Sequence, residues 1–198
     1  AISELAFGGG VTGGILINPD EATRYNALQR AVSAGINWID TAPVYGNGAS
    51  EETIGRHLEA LSPQPHVSTK VRLEAGDMHD IAGAIERSLE HSLWRLRSGR
   101  VTLLQLHNHL GTGVGERIAL TPEHVLAWLK QQGLIGASGM TAAGDTEACL
   151  EVINSGRFDA AQVYYNAINP TAAWRRLPAG WRGGQDLCGI LAACFQQN

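Results

Sequence analysis

No apolar run in this sequence approaches the ~20 residues needed to cross a bilayer, and the first residues lack the basic, apolar and small-residue succession of a secretory leader. The expectation is a cytoplasmic protein that does not enter a membrane. Lysine and arginine total 15 against 19 acidic residues, with a formal net charge of −4 and no basic tract. That balance argues against nucleic acid or an anionic membrane as partner and favours a small molecule. Cysteine is scarce too: Cys149, Cys188 and Cys194 are odd in number and without paired metal-ligand spacing, so buried reduced thiols are expected.

What is present suits a globular α/β domain. A hydrophobic share of 44% over 198 residues fits one domain, 1–198, with a sizeable core. Gly8, Gly10 and Gly13 formally match the dinucleotide fingerprint G-x-G-x-x-G. The helix start signal comes only at Asn18-Pro19-Asp20-Glu21, however, so a glycine loop lining a mouth is the better reading. Helical apolar spacing from Pro19 ends at Gly35, and a strand follows over 36–40. Ser50 is expected to cap a second helix that Pro63 and Pro65 stop. A strand ending at Lys70, a helix from about Asp77 broken at Gly99, and a strand over 101–107 come next. Thr121-Pro122-Glu123 reads as a helix start, followed by strands over 134–138 and 160–165, a helix from about Asp145 between them, and a last helix through Leu187 and Phe195.

Six strand–helix units in alternation imply a parallel sheet with right-handed crossovers. An open doubly wound sheet and a (β/α)8 TIM barrel both satisfy that pattern. Asp40, Lys70, His107, Ser138 and Gln162 lie at or near the carboxyl ends of five separate strands, and such residues converge only in a barrel. About six βα units are present, so the expectation is an incomplete barrel: a fragment, a partly observed protein, or a chain completed by another.

Asp40, Tyr45, Lys70 and His107 form the candidate catalytic set. Singly each has a bland reading: a strand-end aspartate caps turns, lysine is solvated, and a lone histidine is a satisfied polar group. Four at successive strand ends make accident a poor explanation. His107-Asn108-His109 also reads as an H-x-H metal pair, the seed of a metal-dependent hydrolase, although no further ligands complete it.

Asp40-Thr41-Ala42-Pro43-Val44-Tyr45-Gly46, Ser50-Glu51-Glu52, Lys70 after Val67-Ser68-Thr69, and His107 after Leu104-Gln105-Leu106 together resemble the aldo-keto reductase superfamily. The resemblance implies a TIM barrel and an NAD(P)H-dependent oxidoreductase moving a hydride between nicotinamide and an aldehyde, ketone or alcohol. It implies NADPH as cofactor, with NADH possible, and a monomer for the complete barrel. Ser138 and Gln162 are then expected to fix the nicotinamide carboxamide, with Ser138-Gly139 standing where the family usually has Ser-Asn. Tyr45 is expected to act as general acid or base, its pKa lowered by a Lys70 ammonium that Asp40 holds, with His107 orienting the carbonyl oxygen. The glycine-rich first loop and Thr112 to Ile118 would line the pocket. The alternative is a catalytically inactive barrel fragment or interaction module without the cofactor phosphate site.

Overall fold

The computed structural model describes residues 1–111 and 123–197. Six strands, β1 (Phe7–Gly8), β2 (Trp38–Asp40), β3 (His66–Val71), β4 (Val101–Leu106), β5 (Ile135–Ala142) and β6 (Ala160–Val163), alternate with α1 (Glu21–Ser33), α2 (Ala49–His57), α3 (Ile81–Leu96), α4 (Glu123–Gln131), α5 (Thr146–Asn154) and α6 (Ile190–Gln196). Every pairing is parallel, and the spatial order repeats the sequence order from β1 to β6. A doubly wound sheet reverses its strand order at a switch point. A sheet that always adds the next strand on the same side is winding a barrel, so this chain is a partial (β/α) barrel. Among the described residues β1 and β6 are edges that do not pair with each other.

Local chemistry sets most boundaries. Asp20, Asp80 and Asp145 cap α1, α3 and α5, each carboxylate accepting from a backbone N–H three residues on. Gly35 follows α1 at φ 93°, as expected. Ser50, in contrast, does not cap α2. Gly48 does so at φ 91°, and Ser50 lies inside the helix, fully buried, accepting from Thr41 Oγ1 at 2.8 Å. At the other end of α3, Arg97 rather than Gly99 takes the left-handed conformation that stops the helix. The Thr121-Pro122 start of α4 and the 112–118 loop lie outside the described residues.

Register sorts the strand residues into two faces, because side chains alternate along a strand and aligned partners point the same way. The partnerships Asp40↔Ser68, Lys70↔Gln105↔Gly139 and Thr141↔Gln162 put these residues on the inner face. Ile39↔Val67, Thr69↔Leu104↔Ser138 and Leu106↔Met140 put the other set on the outer face, where the apolar members join one core with Ile54, Ile85, Leu89, Leu129 and Val152 of the helices. Polar groups confirm this. Outward Thr69 donates to Glu51 of α2 at 2.6 Å, and Glu51, fully buried, is met by Arg95 of α3 at 3.1 Å.

Candidate active site

Strand β2 delivers Asp40 to its carboxyl end, and the turn that follows carries Tyr45. Gly46, Asn47 and Gly48 all take positive φ in that turn, a path open to glycine and tolerated by asparagine. The first glycine loop sits beside it: Gly9 N donates to Asp40 O at 2.8 Å, and a Cβ on Gly10 would lie 3.7 Å from the Tyr45 ring. Helix α1 begins only at Glu21, so the three glycines do not open a helix and the dinucleotide fingerprint lacks its defining context.

Lys70, one residue before the end of β3, is 1% exposed. Its Nζ donates to Asp40 Oδ2 at 2.6 Å and to Thr41 O at 2.9 Å, and stands 4.9 Å from the centroid of the Tyr45 ring. The other carboxylate oxygen of Asp40 accepts from Ser68 Oγ at 2.8 Å and from Gln105 Nε2 at 3.3 Å. His107 follows β4, its backbone N donating to Val71 O at 2.8 Å, and its ring meets that of Tyr45 edge-on with centroids 6.0 Å apart. Asn108 fixes the same corner by accepting from Leu73 N at 2.9 Å and donating to Leu73 O at 2.7 Å. Asp40, Tyr45, Lys70 and His107 are thus brought together.

The electrostatics differ from expectation at the tyrosine. Burial foremost, then the Asp40 carboxylate and Tyr164, push the Tyr45 phenol up to about 12 instead of down. The reason is placement: Lys70 Nζ lies against the ring, held by Asp40 and Thr41, and among the described residues no hydrogen bond joins it to the Tyr45 hydroxyl. Lys70 itself is lowered, burial outweighing the Asp40 carboxylate that favours its charge. Burial first, then the Lys70 charge, hold His107 down at about 4, a neutral imidazole at pH 7 with one N–H to give.

Tyr45, His107, Thr141, Gln162, Val163 and Tyr164 line a cleft of about 240 Å³. Gln162, on β6, faces it as the sequence led one to expect. Ser138 does not. Strand β5 runs to Ala142 rather than ending at Ser138, so Ser138 is a mid-strand residue on the outer face. It is fully buried, its hydroxyl donating to Asp159 Oδ2 at 3.0 Å, and Asp159 is also paired to Lys130 of α4. The residue that reaches the cleft from β5 is Thr141, three positions later and on the inner face. Its Oγ1 is buried and without a hydrogen-bond partner among the described residues. The signal that would have found it was the period of two: counting from Gly139, aligned with Gln105, puts odd-numbered β5 positions inside. Sequence reading also missed Ser68 and Gln105 as Asp40 partners. His109 is exposed, and among the described residues no three His, Cys, Asp or Glu side chains gather as a metal set.

A profile of the aldo/keto reductase family matches residues 4–176. Aldo-keto reductase YhdN of Bacillus subtilis is 34% identical over 108 residues, covering 52% of this chain and 31% of that protein. A solved candidate aldo-keto reductase of Pseudomonas aeruginosa superposes with a TM-score of 0.66 at 33% identity, covering 84% of this chain and 64% of that one. An aldo-keto reductase of Klebsiella pneumoniae, solved in complex with NADPH, shares the fold at a TM-score of 0.70 and 22% identity, over 99% of this chain and 61% of that one. The chain therefore spans about a third of the curated relative and under two thirds of either solved chain.

Proposed function

The chain belongs to the aldo/keto reductase family, and from that premise we propose that it carries the proton-transfer face of an NAD(P)H-dependent carbonyl oxidoreductase. One observation supports this above the rest: a lysine buried to 1% exposure, pinned to Asp40 and set against the Tyr45 ring on the wall of a cleft that His107 shares. Tyr45 is the general acid in reduction. A phenol at about 12 is fully protonated at neutral pH, which is the form that protonates a developing alkoxide. His107, neutral in the same range, donates its one N–H to the carbonyl oxygen and turns that oxygen toward Tyr45. Asp40 and Lys70 supply the fixed charge pair behind the phenol, and their attraction is strengthened by the near-complete burial of Lys70.

Residues on the other wall fit a nicotinamide. Thr141 brings a buried hydroxyl with no partner among the described residues, and Gln162 beside it brings an amide that both donates and accepts, a pair matched to a carboxamide. The bound dinucleotide, NADPH before NADH by family resemblance, would supply the hydride. Gly139, the preceding inner-face position of β5, has no side chain, so the carboxamide would be held by two side chains here. The substrate is a small aldehyde or ketone, or the corresponding alcohol in reverse.

Among the described residues the β1 and β6 edges are unpaired, which supports one other reading, an inactive barrel portion or interaction module. Titration with NADPH, followed by quenching of the five tryptophans, separates the two. Saturable quenching and turnover of a carbonyl panel are expected, with Tyr45→Phe lowering kcat about 10²–10⁴-fold at unchanged cofactor affinity. Equal turnover in Tyr45→Phe overturns the assignment, and absence of quenching favours the inactive reading.

A further inference from the structure

Behind the charge pair lies a chain of hydrogen bonds with a fixed direction. Trp38 Nε1 donates to Ser68 Oγ at 3.1 Å, and Ser68 Oγ donates to Asp40 Oδ1 at 2.8 Å. An indole N–H can only donate, and a carboxylate can only accept. The two ends therefore decide the rotor between them: the indole occupies a lone pair of the Ser68 oxygen, and the hydroxyl proton is left for Asp40. An alternative acceptor, Ile39 O, lies farther off at 3.4 Å. Gln105 Nε2 adds a second donor to the same oxygen at 3.3 Å, lying across Gly139, where a Cβ would stand 3.1 Å from Gln105 Cγ. With Oδ1 so occupied, Oδ2 is turned to Lys70.

Resting on the reading of Lys70 and Asp40 given above, we propose that Ser68, set by Trp38 and assisted by Gln105, is the positioning residue that aims the Asp40 carboxylate at Lys70 Nζ. A half-buried tryptophan two residues before Asp40 is then part of the site's support and more than packing. Neither Ser68 nor Trp38 touches the cleft, so both act through Asp40. Other groups face the same ammonium: Glu51 from the helix layer, Tyr164 beyond β6, and Tyr45 and His107 in the cleft. They are unchanged in the variants below.

The chain has two lysines, Lys70 and Lys130, so protein labelled with 13C at lysine Cε gives two signals, and Lys70→Met assigns them. The titration midpoint of Lys70 is read in wild type, Ser68→Ala, Trp38→Phe and the double variant. Loss of the Ser68 donor loosens the carboxylate, weakens the support for the ammonium and moves the midpoint down. Trp38→Phe moves it the same way by less, and adds nothing in the Ser68→Ala background, because its effect passes through Ser68. Where a carbonyl substrate is in hand, kcat falls at least about tenfold in Ser68→Ala, as loss of a hydrogen bond to a charged group implies. An unmoved Lys70 midpoint in folded Ser68→Ala overturns the proposal, as does an unmoved midpoint in Trp38→Phe if Ser68→Ala does not fold. The readout needs no activity, so a shifted midpoint without turnover sinks the enzymatic reading and leaves the positioning role standing.

Discussion

The two walls of the cleft are built on opposite terms. On β2, β3 and β4 the polar atoms are spent on one another: Asp40 takes three donors, Lys70 gives two hydrogen bonds, and Ser68 both gives and takes. On β5, β6 and the residue that follows β6 they are left over: Thr141 has a buried hydroxyl without a partner among the described residues, Gln162 is exposed, and Tyr164 is 56% exposed. A saturated wall holds side chains still, and its substitutions should cost folding energy. An unsaturated wall has capacity for something that is not protein, and its substitutions should cost binding. In the function proposed above, the first wall carries the proton chemistry and the second recognises the cofactor, and the contrast can be broken at either.

The largest effect is expected at the centre of the saturated wall. Lys70→Met leaves Asp40 charged, mostly buried and short of its main partner, so stability should fall by about 3–5 kcal/mol, read as a lower urea midpoint at unchanged slope. A cost below about 1 kcal/mol would mean that the pair is no more than a surface ion pair.

His107 sits between the walls and tests the electrostatics through pH. Its pKa is about 4 in the folded chain against the ordinary 6.5. Between those values the unfolded chain binds the proton and the folded chain does not, so stability rises with pH across that window and is lost as pH falls from 6.5 towards 4. After allowance for solvent reaching a half-buried ring, the contribution is about 1–2 kcal/mol. Urea unfolding at several pH values should show this slope in wild type and a shallower one in His107→Gln. An equal slope in both would place the proton elsewhere.

On the unsaturated wall, Thr141→Val keeps the shape and removes the hydroxyl. Because that hydroxyl has no partner among the described residues, folding stability should be unchanged or slightly raised. NADPH affinity should weaken about five- to tenfold, about 1 kcal/mol, by fluorescence titration. Lost stability with unchanged affinity would reverse the two walls.

These contrasts also explain what could be read from the chain beforehand. Asp40, Lys70 and His107 were legible because each ends an apolar run rich in good strand formers, and Tyr45 follows Asp40 by a fixed short turn. The alternation of elements was legible from caps such as Asp20 and Asp145. The Tyr45 pKa was not, since whether an ammonium lowers it depends on reaching the oxygen rather than the ring, a matter of side-chain placement. Nor was Ser50: its hydroxyl suits a cap, but the left-handed Gly48 starts α2 earlier and turns Ser50 inward to Thr41. In β5, the stretch from Gly136 to Ala142 is mostly small residues, whose weak strand signal hides where the strand stops. Because faces alternate, misplacing that end gives a residue to the wrong face.

Ser138 makes the smallest and most discriminating test of that point. Both Ser138 and Thr141 are short hydroxyl side chains on one strand, three residues apart, and three is odd, so they point to opposite faces. The Ser138 hydroxyl is already spent on Asp159, which keeps the Ser138 N–H at 2.8 Å and its Lys130 partner when that hydroxyl is removed. Ser138→Ala should therefore cost about 1 kcal/mol of stability and leave NADPH affinity unchanged within about twofold. The same pair of measurements on Thr141→Val should give the opposite pattern. If Ser138→Ala weakened the cofactor while Thr141→Val did not, β5 would be turned by one residue from the register seen here, and the inner face of the sheet would have to be reassigned from Gly139 onward.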